Sequence, residues 1–307
     1  MTGACGNIGS RLVPLLVADP DIEHVFGVDI ATGRMPAGPR WTPVGMDVRD
    51  PAIRSIVGEA DCLVHLAFVV KNIHDDARTR EINLGGTQNL LEACRCVRMR
   101  RIVFTSSVSV YGYHPENVTF IKEDTPLRPD PCHVYSTCKA AIEDSLERFA
   151  VESPGSRVCI LRPSLVMGPH VDNSLANLFR RRTFLAVKGF DPRVQAVHVD
   201  DLARALHLAV KREATGVFNV AASDAFRVSE ICRLFGIRRI SIPVPLLHAY
   251  LRVGYRTGLS HIPPQSAPRF LYSLTVDSIR FREAFEWRPV YSTLRCIDEL
   301  RNGGFSY

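Results

Sequence analysis

Tyr135 and Lys139 stand four residues apart in Tyr135-Ser136-Thr137-Cys138-Lys139. On a helix that spacing puts both side chains on one face. The pair suits proton exchange with an alcohol. A tyrosine hydroxyl titrates near 10 when unperturbed, and work near neutrality asks for a fall of about 3 units, roughly 4 kcal/mol. A neighbouring ammonium stabilises the phenolate and moves the equilibrium that way. Taken alone, Tyr-x-x-x-Lys recurs on ordinary helices, so its weight depends on the residues around it.

A second pattern lies at the start of the chain, in Thr2-Gly3-Ala4-Cys5-Gly6-Asn7-Ile8-Gly9. Gly3, Gly6 and Gly9 are spaced by three and run directly into an apolar stretch. Such glycines permit a tight turn and close approach of backbone N–H groups to a pyrophosphate, and the helix that follows offers its N-terminus to the anion. Twenty residues after Gly9 comes Asp29, at the end of a run that reads as a strand. A carboxylate there accepts hydrogen bonds from adenosine ribose hydroxyls and repels a 2′-phosphate. The expected cofactor is therefore NAD, with NADP disfavoured, and Arg34 lies close enough in sequence to soften that preference.

The Thr-Gly-x-x-Gly-x-x-Gly spacing resembles the extended short-chain dehydrogenase/reductases, the NAD-dependent epimerase/dehydratase type, and further residues match that family in order. Asp47-Val48 resembles the pair that touches adenine. His65-Leu66-Ala67 resembles the segment beside the dinucleotide, so Leu66 and Ala67 become cofactor contacts along with Asn7 and Ile8. Asn83, in Asn83-Leu84-Gly85-Gly86-Thr87, matches the family's Asn-x-x-Gly-Thr helix. Ser107, four before Tyr111, matches the catalytic serine or threonine whose hydroxyl polarises the substrate oxygen. Pro163, in Leu161-Arg162-Pro163-Ser164, matches the residue that packs by the nicotinamide. The resemblance implies that Ser107, Tyr135 and Lys139 are catalytic, that Tyr135 and Lys139 also touch the cofactor, and that the protein forms a homodimer.

Departures from the family pattern narrow the chemistry. Nucleotide-sugar dehydratases carry an acidic pair directly after the catalytic serine or threonine, where this chain has Val108 and Ser109. Nucleotide-sugar epimerases usually show an asparagine at the position of Leu165, and an Arg-Asp-aromatic run before the segment of His198. Here that stretch is Val194-Gln195-Ala196, with Arg193 one place off. The leading expectation is an oxidoreductase that transfers a hydride between nicotinamide and an alcohol or ketone. The alternative is a nucleotide-sugar 4-epimerase that keeps its NAD, with a non-catalytic dinucleotide sensor third. Asp200 is read as a helix cap and His198 as the end of a strand. Leu246, Leu247, Tyr250, Leu251 and Val253 are read as core packing.

The elements that must position these residues follow from periodicity. Strands are expected at His24–Ile30, Thr42–Met46, Asp61–Ala67, Arg101–Ser106 and Val158–Arg162, with helices at about 8–18, 51–58, 76–97 and 134–151. This alternation predicts an α/β fold, a Rossmann-type doubly wound parallel sheet, with a smaller and mostly helical substrate-binding lobe. The dinucleotide-binding domain is expected over 1–169, with 195–222 returning to it. The lobe takes 170–194 and 223–307. Only Met1 precedes the loop where a central strand should lead into it, so the sequence also predicts an apolar strand upstream of Met1.

Composition excludes other classes. The chain has 307 residues, 46% hydrophobic, with a net charge of +6. Its arginines are scattered, in clusters such as Arg98/Arg100/Arg101 and Arg180/Arg181/Arg182, which reads against a nucleic-acid groove. Its nine cysteines lack metal-ligand spacing, so no metal is expected, and reduced thiols fit a cytoplasmic protein. The longest apolar run, Leu66–Val70, is too short to span a membrane.

Overall fold

Side chains of successive residues in a strand point to opposite sides of a sheet, and here both sides are buried. Ile102 and Phe104 pack into one apolar cluster while Val103 packs into another, and Val158 and Ile160 part from Cys159 and Leu161 in the same way. A strand covered on both faces needs no polar alternation, which is why these runs read as continuous apolar stretches. The structure is a computed structural model that describes residues 1–32, 37–70, 75–172, 176–258 and 262–302. Arg34 lies outside them.

From the N-terminus run α1 (Gly9–Ala18), β1 (Val25–Asp29), β2 (Trp41–Gly45), α2 (Ile53–Gly58) and β3 (Cys62–His65). Next come α3 (Asp76–Arg80), a π-helical turn (Glu81–Gly85), α4 (Gly86–Val97), β4 (Arg101–Thr105), α5 (Val134–Glu152) and β5 (Arg157–Pro163). Two further short strands and a helix, β6 (Leu165–Met167), α6 (Asn177–Arg180) and β7 (Thr183–Val187), lead to β8 (Arg193–Val194), β9 (Ala196–His198), α7 (Val199–Lys211) and β10 (Gly216–Val220). The chain ends with β11 (Phe226–Arg227), α8 (Val228–Leu234), β12 (Arg238–Ile242), α9 (Val244–Arg256), α10 (Pro268–Leu271), α11 (Ile279–Phe285) and α12 (Thr293–Asn302).

The main sheet is parallel throughout. β2 pairs with β1, and β3, β4, β5 and β10 pair in that order. Thr2 bridges the two groups, in parallel with both Val28 and His65, so the segment leading into the glycine loop occupies the central position of a doubly wound sheet. α1 and α7 cover one face, with α11 and Trp287 added to their cluster. Helices α2, α4 and α5 cover the other.

The lobe has its own apolar cluster, drawn from β7, α8, α9 and α12 around Phe179, Phe184 and Phe270. Two features differ from expectation. The lobe contains parallel strands β7 and β12, paired from Arg238 with Thr183 to Ile242 with Val187; Arg-Arg-Ile-Ser-Ile carries too little apolar alternation to announce a strand. Within 223–307, α11 and Trp287 pack on the sheet instead of the lobe, because Phe281 and Phe285 stack on each other and meet Phe218 edge-on, with Trp287 edge-on to Phe281.

Candidate active site

The loop 2–9 is tied down before any ligand is considered. Gly3 donates to the Val28 carbonyl at 2.9 Å, Gly6 to the Gly3 carbonyl at 3.2 Å, and Cys5 N–H to Asp29 Oδ2 at 2.9 Å. Gly3 has φ +71°, and a Cβ there would sit 2.6 Å from Ala67 N; a Cβ on Gly9 would collide with the Gly3 carbonyl. Both glycines are obligatory for steric reasons. The N-cap of α1 is Ile8, and no side chain caps the helix. Gly6, Asn7, Ile8 and Gly9 at this uncapped start line a cavity, an arrangement that fits a pyrophosphate.

A buried hydrogen-bonded chain joins this loop to two other elements. Thr2 Oγ1 lies 2.7 Å from His65 Nδ1, His65 Nε2 lies 3.0 Å from Thr87 Oγ1, and Thr87 Oγ1 donates to the Asn83 carbonyl at 2.7 Å. Since the Thr87 proton is committed to that carbonyl, the imidazole must donate from Nε2 and accept at Nδ1. Burial, then the Lys139 charge, pushes the His65 pKa down to about 3, so the ring is neutral. Asn83, in the π-helical turn, accepts from Val69 N–H at 2.8 Å and fixes the backbone beyond β3.

Ser107 lies two residues beyond β4 and caps a short 3-10 turn (Val108–Tyr111), its hydroxyl accepting from Ser109 N–H at 3.1 Å. Tyr135 lies in the first turn of α5. Burial raises its pKa, and a hydrogen bond with Ser107 and the Arg269 charge oppose that shift. Lys139 is buried one turn on. Its Nζ donates to the Thr105 carbonyl at 2.6 Å and sits 3.6 Å from the Phe68 ring centroid and 5.8 Å from that of Tyr135. Burial holds its pKa down at about 7, against the raising effect of Glu143.

Glu143, four residues after Lys139, is the acidic half of a buried ion pair. Arg162 reaches it through Nη2 at 2.5 Å and through Nε at 3.0 Å, and also donates to the Tyr111 hydroxyl at 2.7 Å. Ser106 Oγ donates to the same carboxylate. Arg162 is thereby spent on partners inside the protein.

One cavity of about 610 Å³ gathers most of the expected site. Gly3, Gly6, Asn7, Ile8, Gly9, Leu66, Ser107, Tyr135, Lys139 and Pro163 line it. Asp29, Asp47, Val48, Ala67 and Asn83 do not. Asp29 accepts from Cys5 and Ala31 N–H at the loop's edge. Asp47 is engaged by Arg49 at 2.7 Å, which holds its carboxyl below the usual range. Val48 is buried in the cluster beneath α4, where it lies against Gly86.

Sequence reasoning missed several cavity residues. His133 lies two before Tyr135, and its ring is 5.9 Å from the tyrosine ring. Arg269 Nη2, from the lobe, is 2.5 Å from His133 Nε2. Burial, then the Arg269 charge, lowers the His133 pKa to about 3. His133 was reachable by its proximity to Tyr135; Arg269 carries no local signal. His198, read as a strand end, does end β9, and it rather than Asp200 caps α7, since its Nδ1 accepts from Asp200 N–H at 3.2 Å. Among the described residues no cluster of His, Cys, Asp and Glu could hold a metal, and no helix is long and apolar enough to cross a membrane.

Known proteins resemble this chain along most of its length. An uncharacterized protein of Mycobacterium tuberculosis is 28% identical over 316 aligned residues, covering 99% of this chain and 83% of its own. Short-chain dehydrogenase/reductase family 42E member 1 of Xenopus laevis is 27% identical over 75% of this chain and 62% of its own. Among solved structures, the Thermus thermophilus UDP-glucose 4-epimerase complex with NAD superposes with a TM-score of 0.76 at 24% identity, covering 98% of this chain and 97% of that one. The family model for the NAD dependent epimerase/dehydratase family matches residues 1–221. The chain belongs to the NAD dependent epimerase/dehydratase family, whose enzymes take a nicotinamide dinucleotide as cofactor.

Proposed function

We propose that the protein is an NAD-dependent oxidoreductase for a secondary alcohol or ketone borne on a largely apolar body. The observation that carries this reading is the wall of the cavity beyond Tyr135, where Phe179, Phe184, Phe190, Phe270, Tyr272 and Leu274 face the space a substrate would fill. A sugar hydroxyl pressed against such a wall would lose water without gaining a partner, whereas an apolar ring gains burial. Gly3, Gly6, Gly9 and the uncapped start of α1 would hold the pyrophosphate, and Asp29, the last residue of β1, would meet the ribose. The bound nicotinamide supplies the hydride exchange. Ser107 would orient the substrate oxygen and Tyr135 would move its proton. Lys139 would assist, as its ammonium charge favours the phenolate. The domain division follows the same logic, with the sheet as the dinucleotide half and the lobe as the substrate half.

A second reading is a nucleotide-sugar 4-epimerase. Arg193 and Arg269 both line the cavity and bring positive charge that a diphosphate would use. An Escherichia coli relative, 29% identical over 59% of this chain, is N-acetyl-alpha-D-glucosaminyl-diphospho-ditrans,octacis-undecaprenol 4-epimerase. The two readings part on the fate of the reduced cofactor. Supplying NAD with sterols, aromatic alcohols or UDP-sugars and following NADH absorbance separates them. NADH accumulation with the apolar alcohols and none with UDP-sugars is expected. Sugar interconversion without net NADH would replace this reading with the second, and no turnover by any substrate would leave a dinucleotide sensor.

A further inference from the structure

Helix α9 is an unusual lobe element because most of its surface is uncovered. Of its residues only Leu247, Leu251 and Gly254 are buried. They fall on one narrow seam at intervals of four and three, and the two leucines pack into the same cluster as the cavity-wall residues Phe184 and Phe270. The apolar character of the stretch read Leu246, Tyr250 and Val253 as core as well, but the structure leaves them outside. Leu246 is 52% exposed, Tyr250 44% and Val253 58%. At i, i+4 and i+7 these three make a single stripe beside the buried seam. Single exposed apolar residues are commonplace; an aligned set on one helix is a contact surface in need of a partner.

The charge around it says which partner. From 231 to 258 the chain has five arginines, at 233, 238, 239, 252 and 256, and no aspartate or glutamate. All five are exposed. None makes an ion pair with a carboxylate among the described residues. Arg252 and Arg256, four apart, border the apolar stripe on α9 itself, and Arg238 and Arg239 open the strand that leads into the helix. An exposed apolar stripe bordered by unpaired arginines is the pattern of a helix that lies in a membrane interface, its apolar side chains among the acyl chains and its guanidinium groups on the headgroups. A protein partner would need a matching acidic groove, and a nucleic acid would use the arginines but not the leucine, tyrosine and valine between them.

We propose that α9, with the β12 segment before it, docks the lobe peripherally on an anionic lipid bilayer. The helix is too short to cross the bilayer and lies along it. The docking face is the outer side of the layer whose inner side walls the cavity, so substrate and membrane are handled by one lobe.

The test is co-sedimentation of the full chain with vesicles of phosphatidylcholine alone and of phosphatidylcholine mixed with phosphatidylglycerol. The chain should sediment with the mixed vesicles and not with the neutral ones, and salt that shortens the Debye length from about 10 Å to about 3 Å should release it. Two variants address the two halves of the surface, Arg252→Glu with Arg256→Glu, and Leu246→Ser with Tyr250→Ser. Each should weaken partitioning at least about tenfold; the glutamate pair should keep the wild-type melting temperature, and the serine pair should still unfold cooperatively, because Leu246 and Tyr250 are 52% and 44% exposed. Equal partitioning to both vesicles, or no loss in either variant, overturns the proposal. So does a concentration-dependent dimer abolished by the serine pair in the absence of vesicle binding, which would assign the face to a second copy. Binding of an RNA oligonucleotide that survives the serine pair but not the glutamate pair, again without vesicle binding, would assign it to nucleic acid. None of these readouts involves turnover, so the result stands apart from the proposed chemistry.

Discussion

Lys139 ties the stability of the fold to the proposed chemistry in a single residue. Its buried ammonium is satisfied by one carbonyl and two aromatic faces, those of Phe68 and Phe104, an arrangement that holds the charge at a cost. The folded pKa is depressed, to about 7 from 10.5. Below pH 7 folded and unfolded chains are both protonated and the penalty is full. Between about 7 and 10.5 the unfolded chain binds more protons, so stability rises with pH through that window. Without cofactor, Lys139→Met should therefore melt higher than wild type near pH 6. The gap should narrow toward pH 10, by up to about 1.4 kcal/mol per pH unit. Parallel curves of melting temperature against pH would show that the charge costs nothing. Tyr135→Phe tests the other half of the pair. It keeps the ring that stands edge-on to Phe68 and removes the proton. Turnover should fall by at least about a hundredfold while the NAD dissociation constant stays within a few-fold. A variant that keeps most of its activity would remove Tyr135 from the chemistry.

Among the elements, the most informative link is the one that His65 makes. The glycine loop, β3 and the start of α4 are three pieces apart in sequence, and one neutral imidazole on the second bonds Thr2 of the first to Thr87 of the third. Thr87 and Asn83 then pass the constraint to Val69, on the cavity wall. The π-helical turn widens the helix where Asn83 must reach across, a common use of such turns at sites. The linkage has a measurable sign. His65 has a folded pKa of about 3 against 6.5 unfolded. Its contribution is intact above pH 6.5 and is lost as pH falls, by up to about 1.4 kcal/mol per unit. His65→Gln should flatten the acid limb of the stability curve between pH 6.5 and 4, as followed by urea denaturation at fixed pH. An acid limb as steep as that of wild type would show that the imidazole is not the group responsible.

At the scale of the whole molecule, NAD should act as a stabiliser, because its expected contacts come from segments distant in sequence and only the folded chain assembles them. At a hundred times its dissociation constant a ligand that binds only the native state adds about 2.7 kcal/mol. Thermal shift with equal concentrations of NAD and NADP should favour NAD in wild type. Asp29→Ala should shrink that preference, since it removes a ribose acceptor and the charge opposed to a 2′-phosphate. An unchanged ratio of the two dissociation constants would show that Asp29 only braces Cys5 and Ala31.

The sheet and its glycine loop were readable from one dimension because their signals are local. Apolar runs of strand length, glycines spaced by three and a tyrosine four before a lysine are patterns complete within a few residues. The expected strands and helices of the first half accordingly match the observed ones to within a residue or two at most ends. What the sequence could not rank is which matched residues meet. Asp47, Val48 and Asn83 carry the family pattern yet lie off the cavity wall, where they pair with Arg49, fill the space beneath Gly86 and hold Val69. Arg269 and Phe270 reach the cavity from the far end of the chain, and β12 forms only because β7 offers an edge. The fate of α9 was decided in the same way. Leu247 and Leu246 are chemically identical neighbours, and only the packing of the lobe buries one and leaves the other facing out, because burial is a property of the partner surface and not of the side chain.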